Sequence, residues 1–239
     1  MLFLDASKAF DRVKHDVLFN CLIDKDICPL YIRLLYIMYS INNATVRWKN
    51  YESRSFCMGN GIKQGGILSP YLFALYLDPL LSEVNLSKYG CYIGDNPCNI
   101  FAFADDVALV SQTVMGLKKL INICEYYGAK FSVKFNPDKS QIMSFPKSNL
   151  NFKVELNGCE IKHFNEIKHL GFMLNNTRFF YNINNVINDI KMRTNCIITN
   201  FRCLDTWSRV SLFNTQCLSL YGCCLWDCSA TDVARLEIE

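Results

Sequence analysis

Ile100-Phe-Ala-Phe-Ala-Asp-Asp-Val-Ala-Leu-Val110 sets two apolar runs on either side of the adjacent carboxylates Asp105 and Asp106. Aromatic and β-branched residues in both runs favour strands, and a two-residue break between such runs reads as a tight hairpin. The pattern predicts a buried hairpin with Asp105-Asp106 at its tip. Tips of this length favour Asn-Gly or Asp-Gly, because both loop residues need positive φ; two aspartates there accept backbone strain and like-charge repulsion together. A local rule broken without structural return marks a functional site. A hard divalent cation with oxygen ligands is the simplest remedy for clustered carboxylates.

Upstream, Met1 to Leu4 reads as a short buried strand that ends at Asp5 and feeds a helix with Phe10, Val13, Val17, Leu18, Cys21 and Leu22 on one face. Asp5 therefore sits at the C-terminal edge of a strand, where α/β layers place ligands, or it caps the helix that follows. A second helix is expected from Pro29 to Ile41. Ala44–Lys49 and Ser53–Cys57 read as a basic, aromatic hairpin carrying Arg47, Lys49 and Arg54, suited either to a phosphate backbone or to plain solvation. Gly59-Asn-Gly-Ile-Lys-Gln-Gly-Gly66 has too many glycines for regular structure and leads into Ser69 as N-cap and Pro70 as first helical residue, with Pro79 kinking or ending that helix.

Downstream, Thr113 caps a helix expected to stop at Gly128. A strand over 130–135 is predicted to turn at Asn136-Pro-Asp-Lys139 into a strand over 140–145. Asn157-Gly158 marks a hairpin, Ile167–Phe172 a further strand, and Ile183 to Ile197 a helix of three or more turns. A last apolar helix is expected over 210–226. The helix begun at Ala230 stops with the chain, so the sequence reads as cut.

At 239 residues and 51% hydrophobic the chain is globular, with enough apolar surface for a sizeable core. A net charge of +3 neither announces nor excludes a nucleic-acid partner. Thirteen scattered cysteines, an odd number without a framework of close pairs, suit a reducing compartment and read as mostly buried thiols. Arg33, Asp78 and Asp106 interrupt the most hydrophobic stretches, and no signal peptide opens the chain. An intracellular protein without a membrane span is expected.

Three elements recur in order: Leu4-Asp5-Ala-Ser-Lys8-Ala-Phe10-Asp11, Gly61-Ile-Lys-Gln64-Gly65-Gly-Ile-Leu68-Ser69-Pro70-Tyr-Leu-Phe73, and Phe103-Ala104-Asp105-Asp106. The ordered set closely resembles the reverse transcriptase domain of non-LTR (LINE-type) retrotransposons. Asn136-Pro137-Asp138-Lys139-Ser140 and His169-Leu170-Gly171 are similar to the next two motifs of that family, and Leu220-Tyr221-Gly222 with Trp226 to its thumb-adjacent region. The resemblance implies an α+β fold, a palm-type antiparallel sheet packed on helices over 1–178 with only a remnant of fingers, then a small, truncated helical thumb over 179–239. Only four residues precede Asp5, where the family carries fingers. The surface on which fingers would pack is therefore expected to be apolar and exposed.

The resemblance further implies an RNA-directed DNA polymerase that adds deoxynucleotides to a primer 3'-hydroxyl. Asp5, Asp105 and Asp106, with the Ala6 carbonyl, would hold two Mg2+ ions, for which Mn2+ may substitute. Phe10 would crowd a ribose 2'-hydroxyl, Gln64 and Gly65 would face the template and incoming nucleotide, Lys139 would protonate pyrophosphate, and Leu170-Gly171 would grip the primer. The implied partners are an RNA template, a DNA primer and deoxynucleoside triphosphates, in the nucleus or a cytoplasmic ribonucleoprotein. Two other readings stay open: an inactive retrotransposon remnant that at most binds RNA, favoured by the missing fingers, and a metal-dependent phosphohydrolase using the same carboxylates.

Overall fold

The computed structural model describes residues 1–145, 152–176 and 183–218. The chain forms two compact units, the first of Met1–Ser144 and Ser148–Phe164, the second of Phe145–Lys147 and the residues from Asn165 on. In the first, β1 (Leu2–Ala6), β2 (Ile100–Phe103), β3 (Asp106–Leu109), β4 (Phe135–Ile142) and β5 (Lys162–His163) form one sheet in the order β5-β4-β1-β3-β2. Every pairing is antiparallel except that of β4 with β5. Four helices accompany the sheet: α1 (His15–Asp24), α2 (Pro29–Ser40), α3 (Ser69–Leu86) and α4 (Val114–Phe131). The α+β class expected from the sequence is the one observed.

The core forms where one face of the sheet meets these helices. Leu2, Leu4 and Ala6 alternate inward along β1 and join Val107 and Leu109 of β3, with Phe73, Tyr76, Leu80, Leu120 and Ile121 from the helices. Burying each large side chain contributes about 1.5–3 kcal/mol, enough to hold α3 together around Pro79, whose missing N–H costs roughly 3 kcal/mol in a helix interior. The helix therefore runs on through buried Leu80 and Val84 to Leu86 and does not end at the proline.

Several boundaries differ from those the sequence predicts. The helix after Asp5 begins only at His15: Phe10–Arg12 is a single 3-10 turn, and Lys14, in extended conformation, bridges to Asn60. α4 passes Gly128 and ends at Ser132, whose φ is +59°. Gly128 serves close packing here, since a Cβ on it would lie 2.5 Å from the Val133 carbonyl oxygen. The predicted strand, turn and strand over 130–145 is one strand, β4, with a bulge. Phe3 faces Gln141 and Asp5 faces Asn136, so Pro137 to Ser140 loop out opposite Leu4 alone. β2 is not buried. As the edge strand it leaves Phe101 and Phe103 largely in solvent, while Val107, Ala108 and Leu109 of β3 are covered.

Two buried tyrosines tie α3 to the end of α4, Tyr76 donating to the Phe131 carbonyl and Tyr127 to that of Tyr76. Burial raises both phenol pKa values, which keeps them protonated as donors. Among the described cysteines, Cys21, Cys124 and Cys217 are buried, but Cys28, Cys57, Cys159, Cys196 and Cys203 are exposed. The expectation of mostly buried thiols is corrected accordingly. Along α2, Leu30, Tyr31, Leu34 and Met38 are exposed.

The second unit contains the hairpin β6 (Glu166–His169) and β7 (Phe172–Asn175), then α5 (Ile183–Asn200) and α6 (Thr206–Gln216). Asp205 caps α6 by accepting from the Ser208 amide, and Arg193 donates to the Gln216 carbonyl. The strand predicted over 167–172 is instead this hairpin, with Leu170 and Gly171 as its loop at φ +47° and +84°. The helix expected over 210–226 is seen from Thr206 to Gln216, and the segments around Leu220, Trp226 and Ala230 lie outside the described residues. Among the described residues no helix is long and apolar enough to cross a membrane.

Asn99, fully buried just before β2, closes the C-terminus of α3: its Nδ2 donates to the carbonyls of Val84 and Ser87, both at 3.1 Å. Asn99→Ala leaves those carbonyls without this donor, and urea unfolding should show a loss of about 1–3 kcal/mol.

Candidate active site

Register decides where the carboxylates lie. β1 runs antiparallel to β3 with Leu4 opposite Val107 and Asp5 opposite Asp106. Directly opposed residues share a sheet face, so Asp5 and Asp106 project to the same side, away from the core that takes Leu4 and Val107. Phe103 pairs with Asp106, so the two-residue loop of the hairpin is Ala104-Asp105. The predicted tip is thus displaced by one residue: Asp106 opens β3 and Asp105 lies in the loop. Ala104 takes φ +52°, a conformation that costs an L-residue with a Cβ roughly 1–2 kcal/mol, so the strain expected of the aspartates falls on the alanine.

The bulge in β4 places a cation beside this acidic face. Ser140, itself buried, donates to the Asn136 carbonyl at 2.7 Å and accepts from the Asp5 amide at 3.4 Å. Asn136 Oδ1 accepts from the Asp138 amide at 3.0 Å, a local turn that tightens the loop. Lys139 is thereby carried to 3.9 Å from an Asp5 carboxylate oxygen. Both side chains are substantially exposed, so the pair is worth little in stability.

The glycine loop is fixed to the segment after Asp5. Gly61 donates to the Val13 carbonyl at 2.7 Å, Ile62 to that of Phe10 at 2.9 Å, and His15 Nε2 lies 2.7 Å from the Gly61 oxygen. Gln64, exposed, reaches Asp11 Oδ1 at 3.5 Å, and Gly65 stands free at φ +77° with no atom near a built Cβ. Ser69 is the first residue of α3 and not its cap. Its hydroxyl donates back to the Lys63 carbonyl at 2.5 Å, closing the loop on itself. Phe10 stacks on buried Phe73 of α3, ring centroids 4.8 Å apart and planes inclined by 22°.

The structure thus gathers Asp5, Ala6, Asp106 and Lys139 around the end of β1, with Asp105 adjacent, and holds Phe10 and Gln64 on the segments that leave it. Leu170 and Gly171 lie in the hairpin loop of the other unit. Asn99, Asn136 and Ser140, which the sequence reading did not single out as site residues, support the hairpin and the bulge; only the fall of a polar Asn99 before an apolar strand could have signalled the first. The donor set is all oxygen and suits a hard cation. With the side chains as they stand, no three His, Cys, Asp or Glu among the described residues converge as a cation cluster.

A family model described as reverse transcriptase (RNA-dependent DNA polymerase) matches residues 1–174. The chain belongs to the reverse transcriptase family. Its relatives include the Pol polyprotein from the type-2 retrotransposable element R2DM of Drosophila melanogaster, 32% identical over 136 residues, which cover 57% of this chain and 13% of that protein. The RNA-directed DNA polymerase from the Drosophila melanogaster mobile element jockey is 24% identical over 181 residues, 72% of this chain and 19% of the relative. The chain therefore spans less than a fifth of the length of these two relatives. Apo telomerase of Candida tropicalis superposes with a TM-score of 0.53 at 14% identity, over 74% of this chain and 34% of that one, which identifies the sheet and its helices as a polymerase palm fold.

Gly61 has φ +88°, and a Cβ there would lie 3.0 Å from the Asp11 carbonyl oxygen. Gly61→Ala should therefore lower the melting temperature by several degrees, in line with a loss of about 1 kcal/mol or more. It should also raise proteolytic cleavage within 59–66, which limited digestion would register.

Proposed function

We propose that this chain is the catalytic palm of an RNA-directed DNA polymerase of a non-LTR retrotransposon, extending a DNA primer on an RNA template. The observation that carries the reading is the pairing of Asp5 with Asp106 on one face of the sheet, beside Asp105, in a chain of this family. The palm would span 1–178 and the helical thumb 179–239. The resemblance to the family would put the work in the nucleus or a cytoplasmic ribonucleoprotein.

In the proposed reaction the primer 3'-hydroxyl oxygen bonds to the α-phosphorus of a deoxynucleoside triphosphate, the bond to the bridging oxygen breaks, and pyrophosphate leaves. Asp5, Asp105, Asp106 and the Ala6 carbonyl would hold two Mg2+ ions, or Mn2+ in their place, which when bound supply charge neutralisation at the attacking and leaving oxygens. Each remaining residue has a task its position supports. Phe10, braced by Phe73, presents a ring that cannot yield, which would exclude a ribose 2'-hydroxyl by bulk. Gln64 and Gly65 offer an exposed amide and a bare backbone to the template and the incoming nucleotide. Lys139, 3.9 Å from an Asp5 carboxylate oxygen, would give its proton to the departing pyrophosphate oxygen. Leu170 and Gly171, in a hairpin loop, would hold the primer strand.

The test is primer extension by purified residues 1–239 with an RNA template, annealed DNA primer, deoxynucleotides and Mg2+ or Mn2+, alongside Mn2+ titration. Slow templated extension is expected, falling on the order of 100-fold or more in Asp5→Asn and Asp106→Asn, with Mn2+ uptake weakened in both. Nucleotide hydrolysis in place of extension, or Mn2+ uptake equal in wild type and both variants, would overturn the reading.

Phe10→Ala should raise the ratio of ribonucleotide to deoxynucleotide incorporation while deoxynucleotide use is largely kept. An unchanged ratio in a folded protein would remove Phe10 from sugar selection.

A further inference from the structure

Residues 42–58 form a two-stranded arm: Asn43-Ala44 pairs with Phe56-Cys57, and Arg47-Trp48 with Tyr51-Glu52. Every residue from 45 to 60 is exposed, so the arm stands in solvent. At its end Trp48 and Tyr51 are 73% and 80% exposed. Exposure on this scale of two large aromatic side chains is not what a solvated hairpin requires, and neither ring is needed by the core. The two are directly opposed across the ribbon and so share one face, while Arg47 and Glu52 share the other. Lys49 occupies the turn at φ +54°. The single acid of the ribbon, Glu52, accepts from the Thr45 hydroxyl at 2.9 Å, and among the described residues no ion pair joins it to Arg47, Lys49 or Arg54.

We propose that this arm is a stacking clamp for single-stranded nucleic acid, the bases lying on Trp48 and Tyr51 and the phosphates running past Lys49 at the turn toward the opposite face, which carries Arg47. The proposal rests on the polymerase reading only for its occupant, the unpaired template strand. Charge decides between occupants. An apolar protein partner would be matched by the rings but opposed by three cations on a ribbon of a few residues, whereas a single strand carries both the π-faces and the anionic backbone that this combination takes. Such binding is tolerant of base sequence, because every base has a face to stack, and sensitive to salt, because each phosphate contact releases a counterion.

The experiment is fluorescence anisotropy of labelled RNA and DNA single strands of about 12 nucleotides, and of a duplex of the same sequence, with purified residues 1–239. Trp48→Ala/Tyr51→Ala should weaken single-strand binding by about ten-fold or more, with Trp48→Phe/Tyr51→Phe restoring most of it, and with the melting temperature unchanged because the rings support no core. Arg47→Gln/Lys49→Gln should flatten the salt dependence. Unchanged single-strand affinity in the alanine pair would overturn the proposal. So would equal loss of duplex and single-strand binding, or a loss of self-association in the alanine pair without loss of RNA affinity, which would assign the rings to protein contact. The polymerase reading fails separately: binding through the arm without any primer extension would leave the clamp standing and remove the enzyme.

Discussion

The antiparallel register of β1 on β3 is the constraint from which the rest follows. Leu2, Leu4, Val107 and Leu109 are buried on the core face, and each contributes about 1.5–3 kcal/mol by leaving water. The same register sets Asp5 opposite Asp106, where like charges cost about 0.2–1 kcal/mol. Burial wins by a wide margin. A slip by one residue would relieve the aspartates only by turning the whole apolar set of β1 out to solvent. The acidic pair is therefore imposed by the core, and it persists whether or not anything neutralises it.

A second consequence concerns the segments that leave β1. Backbone hydrogen bonds from Gly61 and Ile62, and the His15 ring on the Gly61 oxygen, fasten the glycine loop to residues 10–15. The turn carrying Phe10 and the loop carrying Gln64 thus move as one piece, anchored at one end by Phe73 in the core and at the other by β1. On the opposite side the β4 bulge works through Ser140, whose single hydroxyl joins the Asp5 amide to the Asn136 carbonyl and fixes the direction in which Lys139 leaves the strand. The site is assembled from two paired strand ends and the braces of the glycine loop and the β4 bulge.

Much of this was legible in the chain itself. The Thr113 cap and the Asn157-Gly158 turn rest on local chemistry and stand where the sequence predicts them, and the hairpin around Asp106 is displaced by only one residue. The ordered motifs carried the family. What misled were positions where a tertiary contact overrides a local signal. Gly128 reads as a helix stop but answers the nearby Val133 carbonyl; Pro79 reads as a break but lies in a helix held by burial on both sides; Asn136-Pro137 reads as a hairpin turn but forms a bulge, because β1 offers partners to both flanks. The displacement of the hairpin loop to Ala104-Asp105 follows from the pairing of Phe103 with Asp106, which leaves the positive φ on Ala104.

The exposed face of α2 separates stability from function in this chain. Ile32, Leu35 and Tyr39 lean on the core, and so the helix is retained, yet Leu30, Tyr31, Leu34 and Met38 are each more than half exposed. Nothing in the sheet depends on those outward residues: the cluster that fixes the register of β1 is closed by α1, α3 and α4. A partner surface that covered α2 would add apolar burial of several side chains to the fold without altering the opposition of Asp5 and Asp106. The carboxylates are set by the packing beneath them, while the outward face of α2 and the arm of residues 42–58 are surfaces that the core does not stabilise.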